Sequence, residues 1–426
     1  MALPKKEKKL GGYLAKLNDR QKDRQALIKD AFAGEFEAYC GDPALQWCLG
    51  GYIRGRLNLL WGPTKSGKST LALKWAAQEQ KKRGSGYYVL IFDSEYNYEM
   101  DNPKTIQRFL ACGIDPDYVL VSHGNDMDTL FEGIADMKAD VASGDLKLAA
   151  VVVDSWGGVT VESALKKIKE GEIADAGNSF GGNAKFINPL IGFFLDLAGE
   201  YAVTCFFVQH CIMNMDQYGK KYLLLGGQKL RFLVHCSLFL ETVEASDARL
   251  GAGGVQIAKG DTDDIVAVGK RIRAYCDKSR QVVEGRKIEF WFDFERAEFA
   301  LKDESLFELA AKIGVIYHPT EPELDKKGNP VVDVNGVPQM KTKNAHWCFS
   351  ENGDPMTATQ WHGKPNVLKA LSDTILYDSV FGACMKSRVL NSTADARDLK
   401  KEFAIDPSSV KDDVPVVAPA AKRGKK

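Results

Sequence analysis

A chain of 426 residues, 45% of them hydrophobic, can bury one large core with smaller appendages and is too short for many domains. Its 57 basic and 57 acidic side chains cancel, which excludes a global electrostatic pull toward nucleic acid or membrane and leaves any such binding to local patches. The nine cysteines form no Cys-x-x-Cys pair or metal-spaced cluster with histidine. No apolar run is long enough to cross a bilayer, and Met1 to Leu10 lacks a signal-peptide stretch. The expectation is a soluble, cytoplasmic protein with reduced thiols and no membrane partner.

Taken in chain order, the residues from about Lys5 to Glu37 are polar with spaced apolar positions (Leu14, Leu17, Leu27, Ile28, Ala31, Phe32). This suits a helix with one weakly apolar face that wants a partner, and residues 1–45 are read as an N-terminal helical oligomerisation segment. Between Leu57 and Leu240, short β-branched or aromatic runs alternate with helical patterns: Leu57 to Trp61, Tyr87 to Asp93, Leu148 to Asp154, Val203 to Gln209 and Val234 to Leu240. Runs apolar on both faces predict a mostly parallel sheet covered by helices, an α/β core over residues 46–300. Two alternating runs, Val266 to Tyr275 and Arg286 to Phe294, predict an antiparallel extension of that sheet.

A small α+β domain is expected over residues 301–405. It opens with a helical pattern (Leu306, Leu309, Ala310, Ile313) and contains a protruding hairpin within Pro319 to Lys343, signalled by Lys327-Gly328-Asn329 and Asn335-Gly336. Residues 406–426 have no periodicity and read as a disordered tail. No internal repeat is evident.

Gly62, Pro63, Thr64, Lys65, Ser66, Gly67, Lys68 and Ser69 match the P-loop pattern, and they stand after an apolar strand and before a helical run that opens at Thr70. Such a loop curls backbone N–H groups around phosphates at the positive end of a helix. Lys68 supplies charge to the β- and γ-phosphates and Ser69 a ligand for Mg2+, so ATP and Mg2+ are the expected cofactors. Val151-Val152-Val153-Asp154 ends an apolar strand on a carboxylate suited to the magnesium-bound water. Many buried strands end in aspartate, and only the preceding P-loop lifts this one out of that class. Glu95, two residues past the Leu90 to Asp93 strand, is the candidate base for the attacking water; the alternative is a solvated loop carboxylate.

These residues resemble one family, RecA, and within it the UvsX-type recombinases of tailed phages. The approach to the P-loop, Asp42 to Gly51 with Gly55-Arg56, is similar to the family's, and Asp93-Ser94-Glu95-Tyr96 looks like its catalytic-glutamate motif. Glu170-Gly171-Glu172-Ile173 resembles the start of its first DNA loop, in a stretch ending near Lys185. Phe206-Phe207-Val208-Gln209-His210 resembles the strand end that senses the γ-phosphate, and Gly226-Gly227-Gln228-Lys229-Leu230-Arg231-Phe232 the end of the second DNA loop. Bacterial RecA usually has glutamine where His210 stands, and UvsX-type proteins resemble this chain in having histidine. Lys278 and Arg280 resemble a basic pair that reaches a neighbouring subunit's γ-phosphate; without the resemblance they read as an exposed basic strand end. Trp347-Cys348-Phe349 and Gly363-Lys364-Pro365-Asn366 are similar to the family's small C-terminal domain.

The resemblance implies an ATP-dependent recombinase, a DNA-dependent ATPase that acts in DNA recombination and repair. It would form a helical homo-oligomeric filament on single-stranded DNA and exchange that strand with a homologous duplex. A single-strand-binding protein and a loader are further partner candidates. Lys185, Met213, Met215, Gly226, Gly227, Gln228 and Arg231 are the DNA candidates: glycines admit a phosphate to the backbone, cations add charge, and a methionine wedges between bases. Ordinary core filling is the competing reading of the methionines. A RecA-fold hexameric helicase and a RecA-like filament regulator with slow turnover are the competing functions. Intact Lys68, Ser69, Glu95 and Asp154 weigh against the regulator.

Overall fold

The structure, a computed structural model, describes residues 37–124, 127–156, 183–214, 221–224, 228–245, 248–257, 266–325, 329–333, 337–350 and 358–387. The N-terminal helical pattern, Glu170 to Ile173, Met215, Gly226, Gly227 and the 406–426 tail all lie outside them.

The chain enters through a short antiparallel pair, β1 (Glu37–Ala38) and β2 (Tyr52–Ile53), which brackets a helix, Pro43–Leu49. Both ends of that helix are written locally. Asp42 accepts from the N–H groups of Ala44 and Leu45 at 2.9 and 3.0 Å, proline occupies the first turn, and Gly50 takes the left-handed conformation at the C-cap. Ala38, Cys40, Ala44 and Leu45 are buried in the same core cluster as the sheet, so packing makes residues 37–45 continuous with the core.

The central sheet is built on β3 (Leu57–Gly62), β4 (Tyr88–Asp93), β5 (Val119–His123), β6 (Leu148–Asp154), β7 (Thr204–Met213) and β9 (Cys236–Thr242), all mutually parallel. The edge continues antiparallel through β11 (Gly269–Ser279), β12 (Lys287–Asp293) and β13 (Glu298–Ala300). In space the order is β13-β12-β11-β9-β3-β7-β6-β4-β5, with β8 (Tyr222–Leu224) and β10 (Arg249–Leu250) joined at the side to β7 and β11. This is the α/β architecture with a mostly parallel sheet that the apolar runs predict.

Successive side chains alternate between the two faces of the sheet. On β7, Phe206 and Val208 join the cluster beneath the helix Lys68–Arg83, while Cys205 and Phe207 join the one beneath the helix Asn183–Tyr201. Glu79, buried within the first of these helices, accepts from the Tyr52 hydroxyl (2.7 Å), Arg54 Nε (2.9 Å) and the Thr204 hydroxyl (3.0 Å). The helix that follows the P-loop is thereby pinned to β2 and β7. Gly62 has φ 149°, and a Cβ there would stand 2.0 Å from the Leu240 carbonyl oxygen. Gly62→Ala should therefore lower the unfolding free energy by more than ~3 kcal/mol, read by chemical denaturation, because a backbone atom cannot step aside.

The strand β5 has no counterpart in the sequence reading, and β7 runs four residues past Gln209. Its tip pairs antiparallel with β8, Cys211 opposite Leu224 and Met213 opposite Tyr222, so the expected loop after His210 begins as a two-stranded arm.

After the sheet, the helix Lys302–Lys312 buries Leu306, Leu309 and Ala310 in the main cluster, as do Phe349, Val367, Leu371, Val380 and Cys384 further on. The expected hairpin is present as β14 (Thr320–Pro322) against β15 (Met340–Thr342). Its described residues contain a short repeat: Asp325 Oδ1 accepts from Asn329 N and Asp333 Oδ1 from Val337 N, each at 2.9 Å, and each turn is closed by a bridge to a proline, Leu324 to Pro330 and Val332 to Pro338. Two eight-residue units thus follow one another where the sequence suggests no repeat. Beyond them, β16 (His346–Phe349) pairs with β17 (Thr359–His362), and the helix Lys364–Leu371 follows. Among the described residues no helix is long and apolar enough to cross a membrane.

Candidate nucleotide site

The P-loop leaves β3 at Gly62 and enters its helix at Lys68, with Lys65 (φ 60°) and Gly67 (φ 86°) in the left-handed region that wraps the loop. Gly67 caps the helix without a side-chain bond, which leaves the first-turn N–H groups for an anion. Lys68 is only 4% exposed, and its Nζ donates to the Pro63 carbonyl at 2.6 Å. Burial pulls its pKa below the ordinary lysine value, against the opposing field of Asp154 and Glu95. Ser66 closes the loop by donating to the same carbonyl at 2.9 Å.

Asp154 ends β6 two strands away from β3, where parallel pairing carries its carboxylate to the same edge of the sheet. It is 2% exposed. Burial raises its pKa, and hydrogen bonds from Tyr98 and Ser69 oppose that rise. Two oxygen groups, the Ser69 hydroxyl and the Asp154 carboxylate, thus meet beside the P-loop, a donor set that fits a hard divalent cation.

Glu95 sits past the end of β4. Ser155 Oγ donates to its Oε1 at 2.6 Å, His210 Nε2 lies 2.9 Å from the same oxygen, and Asn97 donates to Oε2 at 3.3 Å. Burial pushes the Glu95 pKa up, but the Ser155 bond and the His210 contact outweigh it and hold the carboxyl below its ordinary value. Gln209, one residue before His210, is buried.

The loop that carries Glu95 is fastened to the end of β6. Ser94 N donates to the Asp154 carbonyl (3.1 Å), Ser94 Oγ donates to the Ser155 carbonyl (2.7 Å) and accepts from Ser155 N (3.1 Å), and the Tyr98 hydroxyl donates to Asp154 Oδ2 at 2.6 Å. Asp93 folds the loop by accepting from the N–H groups of Glu95 (3.2 Å) and Tyr98 (2.8 Å).

A pocket of about 380 Å³ lies over the P-loop, where Arg108, His210, Lys270 and Phe294 join Lys65 to Thr70. Sequence reasoning missed Arg108, Lys270 and Phe294, along with Tyr98 and Ser155. Arg108 comes from the helix Pro103–Cys112, Lys270 from the start of β11 and Phe294 from just past β12, and no local pattern marks them.

Lys278 and Arg280 stand elsewhere. The start of β11 reaches the P-loop pocket through Lys270, and its end pairs with the beginning of β9, Ser279 opposite Cys236. The nine residue steps from Lys270 to Ser279 cross the sheet, roughly 30 Å. Lys278 follows an irregularity at Asp277, and its Nζ donates to the carbonyls of Arg231 (2.9 Å) and Phe232 (2.6 Å). Arg280, one residue past the strand, lines a groove of about 750 Å³ with Tyr39, Gln46, His235 and Gln281. Burial, with Arg280, Arg56 and Lys278 nearby, pushes the His235 pKa down to about 4.

Of the DNA candidates, Met213 is 60% exposed at the tip of β7. Arg231 donates to Asp277 Oδ1 at 2.7 Å, an ion pair that competes with any phosphate. Gln228 opens the helix Gln228–Leu233 and Lys185 lies in the helix Asn183–Tyr201; the side chains of both fall outside the described set.

A family model described as the RecA N-terminal domain matches residues 2–248, more than half of the chain. Protein RecA of Paracoccus denitrificans is 27% identical over 318 residues, covering 73% of this chain and 79% of that protein. Protein RecA of Bifidobacterium longum is 25% identical over 319 residues, 74% of this chain and 68% of that protein. Protein RecA of Bifidobacterium breve is 25% identical over 269 residues, 63% of this chain and 59% of that protein, so the chain spans less than two thirds of the length of this last relative. A P-loop, a carboxylate-ended strand two places away and a glutamate fastened between them lie inside the matched region, and the chain belongs to the RecA family.

Proposed function

We propose that the chain is an ATP-dependent DNA recombinase that assembles as a helical filament on single-stranded DNA and pairs it with a homologous duplex, working in the cytoplasm. One observation carries this reading: the basic pair Lys278 and Arg280 lies at the sheet edge away from its own P-loop. It can serve a nucleotide only across an interface with another copy. Of the expected N-terminal segment 1–45, the part ahead of residue 37 is then the oligomerisation arm, residues 37–45 belonging to the core, and residues 301–405 are the accessory domain. Histidine at position 210 favours the UvsX-type branch.

In this reading Lys68 and the P-loop N–H groups hold the β- and γ-phosphates, and Ser69 and Asp154 hold Mg2+, which when bound neutralises phosphate charge. Glu95 orients the attacking water. His210, 2.9 Å from Glu95 at the root of the β7–β8 arm, links the state of the nucleotide to the DNA-facing residues Met213, Met215, Gly226, Gly227, Gln228 and Arg231, with Lys185 from the first loop.

Glu95→Gln tests the assignment, since the amide keeps the contacts that bind but loses the basicity that positions water. ATP and DNA binding should persist while turnover falls on the order of 10²–10⁴-fold, so filaments on single-stranded DNA become long-lived. Electron microscopy of this variant with ATP should show open helical filaments. Closed rings would support a hexameric helicase instead, and loss of ATP binding would remove Glu95 from the base role.

A further inference from the structure

We propose that His123, at the end of the edge strand β5, is a positioning residue for the attacking water: its imidazole stacks on Tyr96 and so fixes the direction in which the adjoining Glu95 points. This rests on the reading of Glu95 as the residue that orients that water.

The loop after β4 is fastened to the end of β6 at Ser94 and Tyr98. Between those anchors Tyr96 turns the chain with φ 58°, in the left-handed region that a bulky residue keeps only when its surroundings hold it there. The His123 ring supplies that hold. The two rings lie parallel, with planes 4° apart and centroids 5.6 Å apart, an offset stack. Tyr96 is 58% exposed, far from the close packing that fixes a core side chain from all sides.

His123 is itself placed by the sheet. It stands opposite Asp93 in the parallel register of β4 and β5, Gly124 N donates to the Asp93 carbonyl at 3.4 Å, and His123 Nδ1 lies 3.4 Å from Asp93 Oδ2. The two neighbours in the loop therefore face opposite ways. Tyr96 turns back to β5, while the Glu95 carboxylate reaches across β6 to Ser155 and His210. If the ring is released, Tyr96 is free to return to an ordinary backbone conformation and the carboxylate one residue away turns with it. Small misplacements of a group that orients a reactant are costly in rate. The run Asp93-Ser94-Glu95-Tyr96 gives no sign of this partner, because β5 follows an intervening helix, Pro103–Cys112.

The test is His123→Ala and His123→Phe in the full chain, each alone and combined with Glu95→Gln. Alanine removes the stack, whereas phenylalanine keeps a ring against Tyr96 and gives up the approach to Asp93. The readouts are single-turnover ATP hydrolysis on single-stranded DNA with protein in excess, and affinity for a fluorescent, non-hydrolysable ATP analogue. His123→Ala should slow hydrolysis roughly fivefold to tenfold, about the shift in population that one aromatic pair sustains. The analogue should bind as it does to the parent, and His123→Phe should recover most of the rate. In the Glu95→Gln background the alanine should cost nothing further, because the group it positions is gone. No change in His123→Ala, a His123→Phe variant as slow as His123→Ala, a matching loss of analogue affinity, or the same further loss in Glu95→Gln would each overturn the role of His123. A Glu95→Gln variant that hydrolyses as fast as the parent would instead overturn the reading of Glu95 beneath it.

Discussion

Replacing Lys68 with alanine should lower ATP turnover on the order of 10²–10³-fold, the scale for removing one preorganised charge-stabilising donor. The side chain has almost no contact with solvent, and its ammonium rests on the Pro63 carbonyl. An entering phosphate offers it a far better partner, so the cation is held in reserve for charge that arrives with the nucleotide. The same burial predicts the effect on stability. Because the pKa of Lys68 is depressed in the folded protein, the unfolded chain binds the proton more tightly. The nucleotide-free protein therefore gains stability as pH rises from the depressed value toward the ordinary lysine value, and the variant lacks that slope. Its melting temperature without nucleotide should equal or exceed that of the parent. Steady-state hydrolysis and calorimetry across pH check both halves, and normal turnover would remove the P-loop assignment.

The double replacement Lys278→Ala with Arg280→Ala should abolish filament formation and DNA-stimulated hydrolysis together, the latter by on the order of 10³-fold or more, as when an arginine finger is lost. The isolated subunit should still bind ATP through Lys68. The nucleotide then forms part of the interface, and its contacts to the neighbour disappear after hydrolysis. Lys278 also holds the last carbonyls of the helix Gln228–Leu233, so its removal disturbs the end of that helix as well. Arg280→Ala by itself avoids this complication, since among the described residues Arg280 forms no salt bridge, and it should reproduce most of the loss. Mixing the double variant with Lys68→Ala supplies the decisive readout. One kind of interface in the mixture has Lys68 from one chain and the basic pair from the other, and activity should exceed the sum of the separate variants. Simple additivity would count against action across subunits.

The parallel strands and the P-loop were legible in the sequence because each is written in contiguous residues. Strands apolar on both faces can only be central, and Gly62 to Ser69 form one uninterrupted pattern. The edge strand β5 was not legible, since Leu120 and His123 are exposed and its short run mixes polar with apolar positions. Arg108, Lys270 and Phe294 arrive from three separate elements, and only the folded sheet brings them to one pocket. The position of Lys278 and Arg280 depended on the direction of β11, which follows from its antiparallel pairing with β9. The twin turns of the hairpin share little beyond Asp, Gly and Pro at a spacing of eight, too few identities to stand out before the capping bonds of Asp325 and Asp333 are seen.

The unbroken course of β7 has a mechanical consequence. His210 touches Glu95, and Met213 projects only three residues farther along the same strand, roughly 10 Å away. An extended strand held in register by β3 as far as His210 and by β8 beyond it is stiff along its length, because lengthening it would strain bonds and angles, whereas a loop would absorb the same push by rotating its torsions. A displacement of His210 as the partner charge at Glu95 changes would therefore reach the exposed tip almost undiminished, with no jointed linkage between His210 and the arm.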